Sequence, residues 1–556
     1  MTLDPITTEV VLNRLRETTA AMAHALFHSG YSPILRESQD GSAGLTAADG
    51  QVIMVGGGLQ FHSLLYTQAV TSILERYPVD SMREGDSFIS NDPYLAGNSH
   101  VPDMVVVTPI FVSGTVVAFG VSVAHKADVG GLVPGSPGAA AREIFHDGLR
   151  LPPVRYWTQD GVNAELEAVI RNNSRIPDVV AGDLRGQVGA TRLGTQRFQA
   201  LCEEYGLETV LQAMASLIER TSARVRTELA AWPDGIFEAE GRLDHDGADT
   251  STPIRFHVRA TVTGDHLSLD FSGSDSQTSG PVNVPRATAQ SVSLLAVLAA
   301  SDPTIPMNAG VLDAVAFHMP PGIVMHPQYP ATVNSYFPSA HLVYACVLAA
   351  LGRFNPARAV APAGLATGAV AIGYAQGRSG KRTVQYELMT TSLGGNSQHD
   401  GAAMLLPMNH FTPGTPVEIV ETEYPVRISR YDIWPDSAGA GQQRGGIGFI
   451  REYEFLTDCT LTVRASNHRY TSWGLFGGQS PRLSRSILHH PDGTSDELDI
   501  MATRQVSAGT KLRIEQNGGG GYGNPRDRDT ERVVDDVRNG YVSAEGAAQT
   551  YGVRVE

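Results

Sequence analysis

Cysteine is scarce in this sequence. Its 556 residues hold three, Cys202, Cys346 and Cys459, an odd and widely spaced set that makes neither a disulfide framework nor a C-x-x-C metal knuckle. Such usage suits a reducing cytosol. Positive charge is also short: 42 Lys+Arg stand against 58 Asp+Glu, a net charge of −16, with no basic block. A chain this acidic repels polyphosphate, so neither nucleic acid nor an anionic membrane is expected as a partner. Long apolar runs are missing too. The longest, around 291–300 and 340–351, fall below the ~18 residues of a membrane span and read as buried helices. The first residues lack a basic segment followed by an apolar one, so no signal peptide is expected and the location expected is cytoplasmic. There is no G-x-x-x-x-G-K-[ST], no dinucleotide fingerprint, no kinase signature and no G-x-S-x-G, which leaves this chain without a recognisable ATP site or serine nucleophile.

What is present reads as a globular protein: 42% hydrophobic and 18% charged residues. At roughly 100–200 residues per domain the length implies three or four domains, or two large ones. The 58 glycines and 32 prolines are scattered as turn punctuation without a period. A long helix is expected over 4–30, with Asp4 as N-cap, Pro5 in the first turn and Gly30 as the stop. From 35 to about 170 the texture is of short β-rich runs, followed by a helical zone over about 160–230 that ends at Trp232-Pro233-Asp234-Gly235. Beyond it come strands over 254–263 and 266–271, buried helices near 288–300 and 339–352, a β- and Gly-rich region over 385–523, and a helical pair over 531–539 and 544–551. Gly518–Gly521 is read as a tight structural turn, because no Lys-Ser/Thr follows and Asn524-Pro525 blocks a helix. The expected class is α+β, with mixed and largely antiparallel sheets, buried helices and a long N-terminal helix. The expected divisions are a metal-site region over 1–232, a β-rich and helical region over 233–525, and a C-terminal helical pair over 526–556.

The most informative chemistry lies between residues 91 and 131. The β-branched runs over 105–111 and 115–123, joined by Val112-Ser113-Gly114, are a hairpin signature. A turn centred at 113–114 pairs residues whose numbers sum to about 227: His125 with Pro102, Ala124 with Asp103, and Ala127 with His100. Paired Cα atoms lie ~4.5–5.5 Å apart, so the hairpin mouth gathers His100, Asp103 and His125 within reach of one ion. Two imidazoles and a carboxylate suit a divalent transition ion, Zn, Mn or Fe. The plainer alternative is a solvated loop in which His125, Lys126 and Asp128 form ion pairs. Cys346, inside an apolar helix, reads as an inert buried thiol.

These residues also carry a family resemblance. Asn91-Asp92-Pro93-Tyr94, Gly97, His100-Val101-Pro102-Asp103 and His125-x-Ala127-Asp128-Val129-Gly130-Gly131 resemble the B-type chain of hydantoinases, the matching half of 5-oxoprolinase and one subunit of acetone and acetophenone carboxylases. The resemblance continues through Arg171-Asn172-Asn173, Phe271-Ser272-Gly273, Arg444-Gly445-Gly446-Ile447-Gly448, Trp473-Gly474-Leu475-Phe476-Gly477-Gly478 and Tyr522-Gly523-Asn524-Pro525. It implies a metal held by Glu37, His100, Asp103 and His125. Ser38 departs from the family's Glu-Arg-x-Asp segment, Lys126 stands where many relatives carry a second His, and Asp147-Gly148 replaces the usual Glu-Gly. His62, Asn91 and Lys126 are expected beside the metal as substrate-binding residues. Asp40 and Asp92 are candidates for general base, although Asp92 in Asn-Asp-Pro equally suits an Asx turn.

The resemblance implies a partner, a hydantoinase A-type subunit that binds ATP and phosphorylates the substrate oxygen, within a hetero-oligomer. The first expectation is ATP-dependent hydrolysis of a cyclic amide of hydantoin, lactam or 5-oxoproline type, the metal lowering the pKa of a bound water. A second is ATP-dependent carboxylation of a ketone. A third, of another class, is a non-catalytic scaffold for the ATPase subunit.

Overall fold

The computed structural model describes residues 4–555 apart from 137, 366–367, 406–407 and 409–412. Helix α1 (Pro5–His28) begins as its sequence dictates: the Asp4 carboxylate accepts from Thr7 N at 2.9 Å and Pro5 occupies the first turn. Its C-cap is Ser29, one residue before the expected glycine. The chain then turns into the short α2 (Pro33–Arg36) on a buried clamp. Asp183 accepts from Tyr31 N at 2.7 Å, Ser32 N at 3.1 Å and Ser32 Oγ at 2.7 Å.

Next come β1 (Gly41–Ala47), β2 (Val52–Gly58), helix α3 (Ser63–Arg76), and strands β3 (Ser87–Ser90), β4 (Asp103–Val112), β5 (Thr115–His125), β6 (Val154–Thr158) and β7 (Gly161–Val162). The strands form one antiparallel sheet in the order β2-β1-β5-β4-β3-β6-β7. Helices α4 (Ala164–Asn172), α5 (Pro177–Tyr205) and α6 (Leu207–Ala230) follow. Both faces of the sheet are covered. Val105, Val107, Val121 and Val123 pack with Leu65, Tyr66 and Ile73 of α3, while Met104 and Val106 pack with Val180, Leu184 and Val188 of α5. That is why β4 is apolar on both faces over 104–107 instead of alternating; each such buried side chain contributes about 1.5–3 kcal/mol. The β texture expected over 35–170 is interrupted by α3, whose buried Leu65, Tyr66, Ala69, Val70 and Ile73 repeat at helical spacing.

The hairpin register is corrected by one residue over most of its length. At the Ser113-Gly114 turn, where both residues have positive φ, Val112 pairs with Thr115 and Phe111 with Val116, the expected sum of 227. A β-bulge then inserts Val117, and from Ile110–Ala118 onward paired numbers sum to 228. Asp103 therefore faces His125, not Ala124, and His100 lies in the turn before β4 instead of opposite Ala127.

Beyond residue 232, β8 (Gly235–Leu243), β9 (Ile254–Thr263), β10 (His266–Asp270) and β11 (Val315–His318) form a mixed sheet, ordered β11-β10-β9-β8 with only β10–β11 parallel. Helices α7 (Arg286–Ala300), α8 (Ala309–Leu312) and α9 (Tyr336–Leu351) accompany it, and α9 is buried along its whole length. Their core includes Leu59 and Phe61 from before α3 and Val225 and Leu229 from α6, so residues on both sides of 232 share it.

The remaining strands are β12 (Ala369–Tyr374), β13 (Thr383–Leu388), β14 (Val426–Trp434), β15 (Gly448–Phe455), β16 (Cys459–Arg464), β17 (Arg485–His489), β18 (Ser495–Leu498), β19 (Met501–Val506) and β20 (Lys511–Gln516), with α10 (Val417–Glu423) between β13 and β14. They make two sheets, β13-β12-β16-β19 and β14-β15-β20-β17-β18, that share one apolar core. The chain ends in α11 (Thr530–Arg538) and α12 (Ala544–Gly546), the latter continued by a π-turn, Ala547–Tyr551.

Residues 518–521 are not a turn. Their N–H groups donate to four different segments: Gly518 to Ser437 O (3.1 Å), Gly519 to Gly446 O (3.0 Å), Gly520 to Pro362 O (2.9 Å) and Gly521 to Gln479 O (2.9 Å). A Cβ on Gly519 would stand 2.1 Å from Leu393 O. Glycine is required here because backbones meet, not because φ is positive. Gly519→Ala is expected to lose about 3 kcal/mol of stability, read as a lowered denaturation midpoint. Gly189→Ala, in α5 with nothing within 4 Å of its Cβ, should be neutral or slightly stabilising. Equal midpoints for the two variants would overturn the packing account.

Candidate metal centre

The site is assembled by the hairpin mouth and the start of β1. Asp103 opens β4 and His125 closes β5 directly opposite it, on the face that carries Val105, Val107, Val121 and Val123. His100 joins them through the turn in which Asp103 N donates to His100 O. Pairing of Gly41 with Ala124 brings Asp40 alongside, and His125 N donates to Asp40 O at 3.1 Å.

Three ligand-type atoms converge. His100 Nε2 lies 2.9 Å from Asp103 Oδ1 and 3.1 Å from His125 Nδ1, which is 3.0 Å from the same Asp103 oxygen. Among the described residues this is the one group of His, Cys, Asp or Glu with metal-holding geometry. Donors ~2.0–2.1 Å from a tetrahedral ion stand about 3.3 Å apart, close to the observed spacing. His100 Nδ1 faces Asn334 O at 3.2 Å, an arrangement that leaves Nε2 as the lone-pair nitrogen when the ring is neutral. The buried Nε2 atoms of His125 and His62 have no hydrogen-bond partner. These residues fit a divalent cation.

The electrostatics agree. Burial pushes His125 and His62 down to about 4, which keeps both imidazoles neutral, as metal ligation requires. Burial alone would raise Asp103, but the charge and hydrogen bond of His100, helped by His125, hold its carboxyl well below the usual range. Asp40 goes the other way: burial first, then the Asp103 charge, raises it well above an ordinary carboxyl, against the pull of Lys126.

The pocket over the triad is lined by Asp40, Phe61, Tyr336, Phe337, Tyr386 and Arg464 among others, and its 20 Å³ accommodates about one water molecule. The Tyr386 ring lies 4.4 Å from that of His125 and the Tyr336 ring 5.0 Å from that of His100. Arg464 donates to Asn334 O at 2.5 Å and to the Tyr386 hydroxyl, yet its Nε is buried without a partner.

The other residues expected at the site stand farther out. His62 is directly behind the triad, its Nε2 4.0 Å from Asp103 Oδ2 and its Nδ1 3.0 Å from Ser42 Oγ. Lys126 is fully buried and donates to Gln187 Oε1 at 2.5 Å and Ala124 O at 3.3 Å. Asn91 staples loops, donating to Val101 O and Leu149 O and accepting from Leu151 N at 2.6 Å. Asp92 forms the Asx turn, accepting from Tyr94 N at 2.9 Å and Leu95 N at 3.1 Å. Glu37 is half-buried and paired with Arg36 at 2.7 Å, outside the three-residue group.

Tyr336, Phe337, Tyr386 and Arg464 were not among the sequence candidates. They arrive from strands and helices more than 200 residues away, with no local spacing to mark them. Arg464 alone left a trace, as a charge closing the apolar strand Cys459–Arg464.

Asp147 supports the site from behind. It accepts from Thr332 Oγ1 at 2.6 Å and Val333 N at 3.3 Å, fixing the segment whose Asn334 carbonyl faces His100 and Arg464. Burial raises its carboxyl to about 7. Because the folded value exceeds the unfolded one, its contribution is complete below about 4 and is lost as pH rises through about 7. Asp147→Asn removes that proton. The melting temperature of the variant minus that of the wild type should therefore grow from pH 5 to pH 8; a constant difference would sink the argument.

Sequence and fold both match known proteins. A profile described as hydantoinase B/oxoprolinase matches residues 4–525. The chain is 31% identical over 573 residues to a Pseudomonas sp. (strain NS671) protein named as the candidate B component of a D-/L-hydantoinase, covering 100% of this chain and 95% of that protein. It is 29% identical over 568 residues to the beta chain of the caprolactamase of Pseudomonas jessenii, covering 100% and 97%. The crystal structure of that ATP-dependent caprolactamase superposes with a TM-score of 0.93 at 27% identity, over 100% of this chain and 97% of the other. Nucleotide-free acetone carboxylase shares the fold, with a TM-score of 0.93 at 20% identity, over 100% and 80%. This chain belongs to the hydantoinase B/oxoprolinase family.

Proposed function

We propose that this chain is the metal-bearing B-type component of an ATP-dependent cyclic amide hydrolase, acting on a substrate whose oxygen has been phosphorylated by a separate A-type subunit. The observation that carries the reading is the buried His100–Asp103–His125 group, with the ligand-type atoms of two imidazoles and one carboxylate of lowered proton affinity around a common point. The names of the relatives, the B component of a hydantoinase and the beta chain of a caprolactamase, support the substrate class and a second subunit. The sequence carries no nucleotide-binding motif, which supports placing ATP on that partner.

A divalent ion held by His100, Asp103 and His125, with Zn, Mn or Fe all suited to these donors, supplies Lewis acidity and a water of lowered pKa. Asp40, with Oδ2 4.0 Å from His125 Nδ1 and a raised proton affinity, is the general base that takes a proton from the attacking water. Its high proton affinity lets it return that proton to the ring nitrogen as the C–N bond breaks, which leaves an acyl phosphate; a second water then splits this into the carboxylate and inorganic phosphate. Arg464, a lining residue of the pocket, offsets negative charge on the reacting oxygen or its phosphoryl group. His62 buttresses Asp103, and Lys126 supplies a buried positive charge beside Asp40. Asn91 and Asp92 shape the loop that delivers His100. The aromatic rings of Tyr336 and Tyr386 limit access of bulk water to the triad.

Metal analysis of the purified chain should find about one divalent transition metal in wild type, and His100→Ala and His125→Ala should lose it while remaining folded. With the A-type subunit, ATP and a lactam panel, both variants should fall at least ~100-fold in turnover. Asp40→Asn should keep the metal and lose ~100-fold or more in kcat. Loss of metal from Asp40→Asn would make Asp40 a ligand instead. Undiminished turnover by the histidine variants in an intact complex would leave the chain a scaffold. A β-keto acid formed from ketone and bicarbonate, with no amide opened, would replace hydrolysis by carboxylation.

A further inference from the structure

Behind the triad, on the α3 side of the central sheet, three buried side chains form a series that ends at Asp103. Tyr66, in α3, donates its hydroxyl to Ser42 Oγ at 2.8 Å. Ser42 Oγ lies 3.0 Å from His62 Nδ1, and His62 Nε2 stands 4.0 Å from Asp103 Oδ2. Ser42 and Tyr66 are fully buried and His62 is 1% exposed, so bulk water does not reach the series. The sheet register places it. Ser42 of β1 pairs with Val123 of β5, two residues before His125, and His62 closes the 3-10 turn Gln60–His62 that leads into α3.

Proton balance along the series fixes the state of the histidine. Burial raises the Tyr66 phenol far above its ordinary value, so its hydroxyl proton is present and goes to Ser42. The Ser42 hydroxyl carries one proton of its own, and its side chain bonds only to Tyr66 and His62. Donated to His62 Nδ1, that proton has an acceptor. With Nδ1 protonated instead, two donors would converge on Ser42 Oγ, and the serine proton would be buried with nothing to accept it. That arrangement would also turn the Nε2 lone pair toward a carboxylate. Both penalties vanish when Nδ1 is bare and Nε2 carries the hydrogen.

The Nε2–H so defined has no hydrogen-bond partner. It faces the Asp103 oxygen that the two ligand imidazoles leave free, since His100 Nε2 and His125 Nδ1 both lie against Oδ1. His62 itself stands outside the group whose ligand atoms all lie within 4.8 Å of one another. It is therefore placed to hold a ligand, not to be one.

We propose that His62 is the positioning residue for Asp103: Tyr66 and Ser42 lock its Nε2–H tautomer, and that N–H holds Oδ2 so that Oδ1 stays turned toward His100 and His125. The inference rests on the metal reading of the triad and not on any substrate. Partners of this kind orient a ligating carboxylate, and removing one typically weakens metal binding about 10–100-fold.

Two measurements on the full-length chain test it. In 15N NMR of ring-labelled histidine, with His62→Gln identifying the His62 signals, the metal-free wild type should show Nδ1 bare and Nε2 protonated. Ser42→Ala should raise the fraction protonated at Nδ1. Zinc affinity, read by competition with a chelating indicator, should fall about 10–100-fold in His62→Leu and about 10-fold in Ser42→Ala. His62→Gln, whose amide restores an N–H donor, should stay within about 3-fold of wild type; a merely structural role would make the Leu and Gln variants lose alike. Ser42→Ala carries the affinity test if His62→Leu misfolds. Wild-type His62 protonated at Nδ1, equal losses in His62→Leu and His62→Gln, or unchanged affinity in Ser42→Ala overturns the proposal. The two readings fail separately. A wild type that binds no divalent ion loses the metal centre and this role with it, whereas zinc held with an affinity that ignores His62→Leu and Ser42→Ala keeps the centre and loses only the relay.

Discussion

One extra residue in β5, Val117, decides which side chains meet at the mouth of the central hairpin. Side chains alternate along a strand, so a shift of one position sends a residue to the opposite face. With the bulge, Asp103 faces His125 and both share the face that leads to α9. Without it, Asp103 would face Ala124, and Asp103 and His125 would point to different sides of the sheet. Burial on both faces fixes this register: α3 holds one valine row and α5 the other, and a slip would cost both packings together.

Around that register the site is braced by backbone carbonyls and long-range contacts. Asn334 O meets His100 Nδ1 and Arg464 Nη1, so a single peptide group orients an imidazole and a guanidinium from elements far apart in sequence. Asp147 fixes that peptide from the other side. The consequence is a cluster of buried polar groups in which Asp103 has its proton affinity lowered and Asp40 has it raised. Two carboxyls a few ångströms apart with opposite tendencies are the arrangement that acid–base chemistry needs.

Much of the frame was legible in the sequence because its signals are local. The cap and proline of α1, the positive-φ turn at Ser113-Gly114, the apolar runs of α7 and α9, and the end of α6 just before Trp232-Pro233 each depend on neighbours within a few positions. The meeting of His100, Asp103 and His125 was legible for the same reason, since one hairpin carries all three. The bulge was not, because an added residue in an apolar run leaves every residue type acceptable. Helix α3 was overlooked although its periodicity is clear, the surrounding strands having set the texture. The aromatic and arginine walls of the pocket depend on tertiary packing alone, and no spacing encodes them. Asp92 and Asn91 show how a polar side chain beside the loop that carries His100 serves the backbone: both bond to loop amides and carbonyls.

The glycine segment over 518–521 has a kinetic meaning. Its four successive amides bond to the segments at 437, 446, 362 and 479, none of which is adjacent to it in sequence. None of these bonds is available until distant parts of the chain have already converged, and contacts of such wide sequence separation form slowly. Its amide bonds therefore depend on contacts of wide sequence separation, from residue 362 to residue 521. It braces residues 360–365, because Gly520 N anchors Pro362 O. Residues 360–365, which lie against α9, are thereby tied to a backbone more than 150 residues farther along the chain.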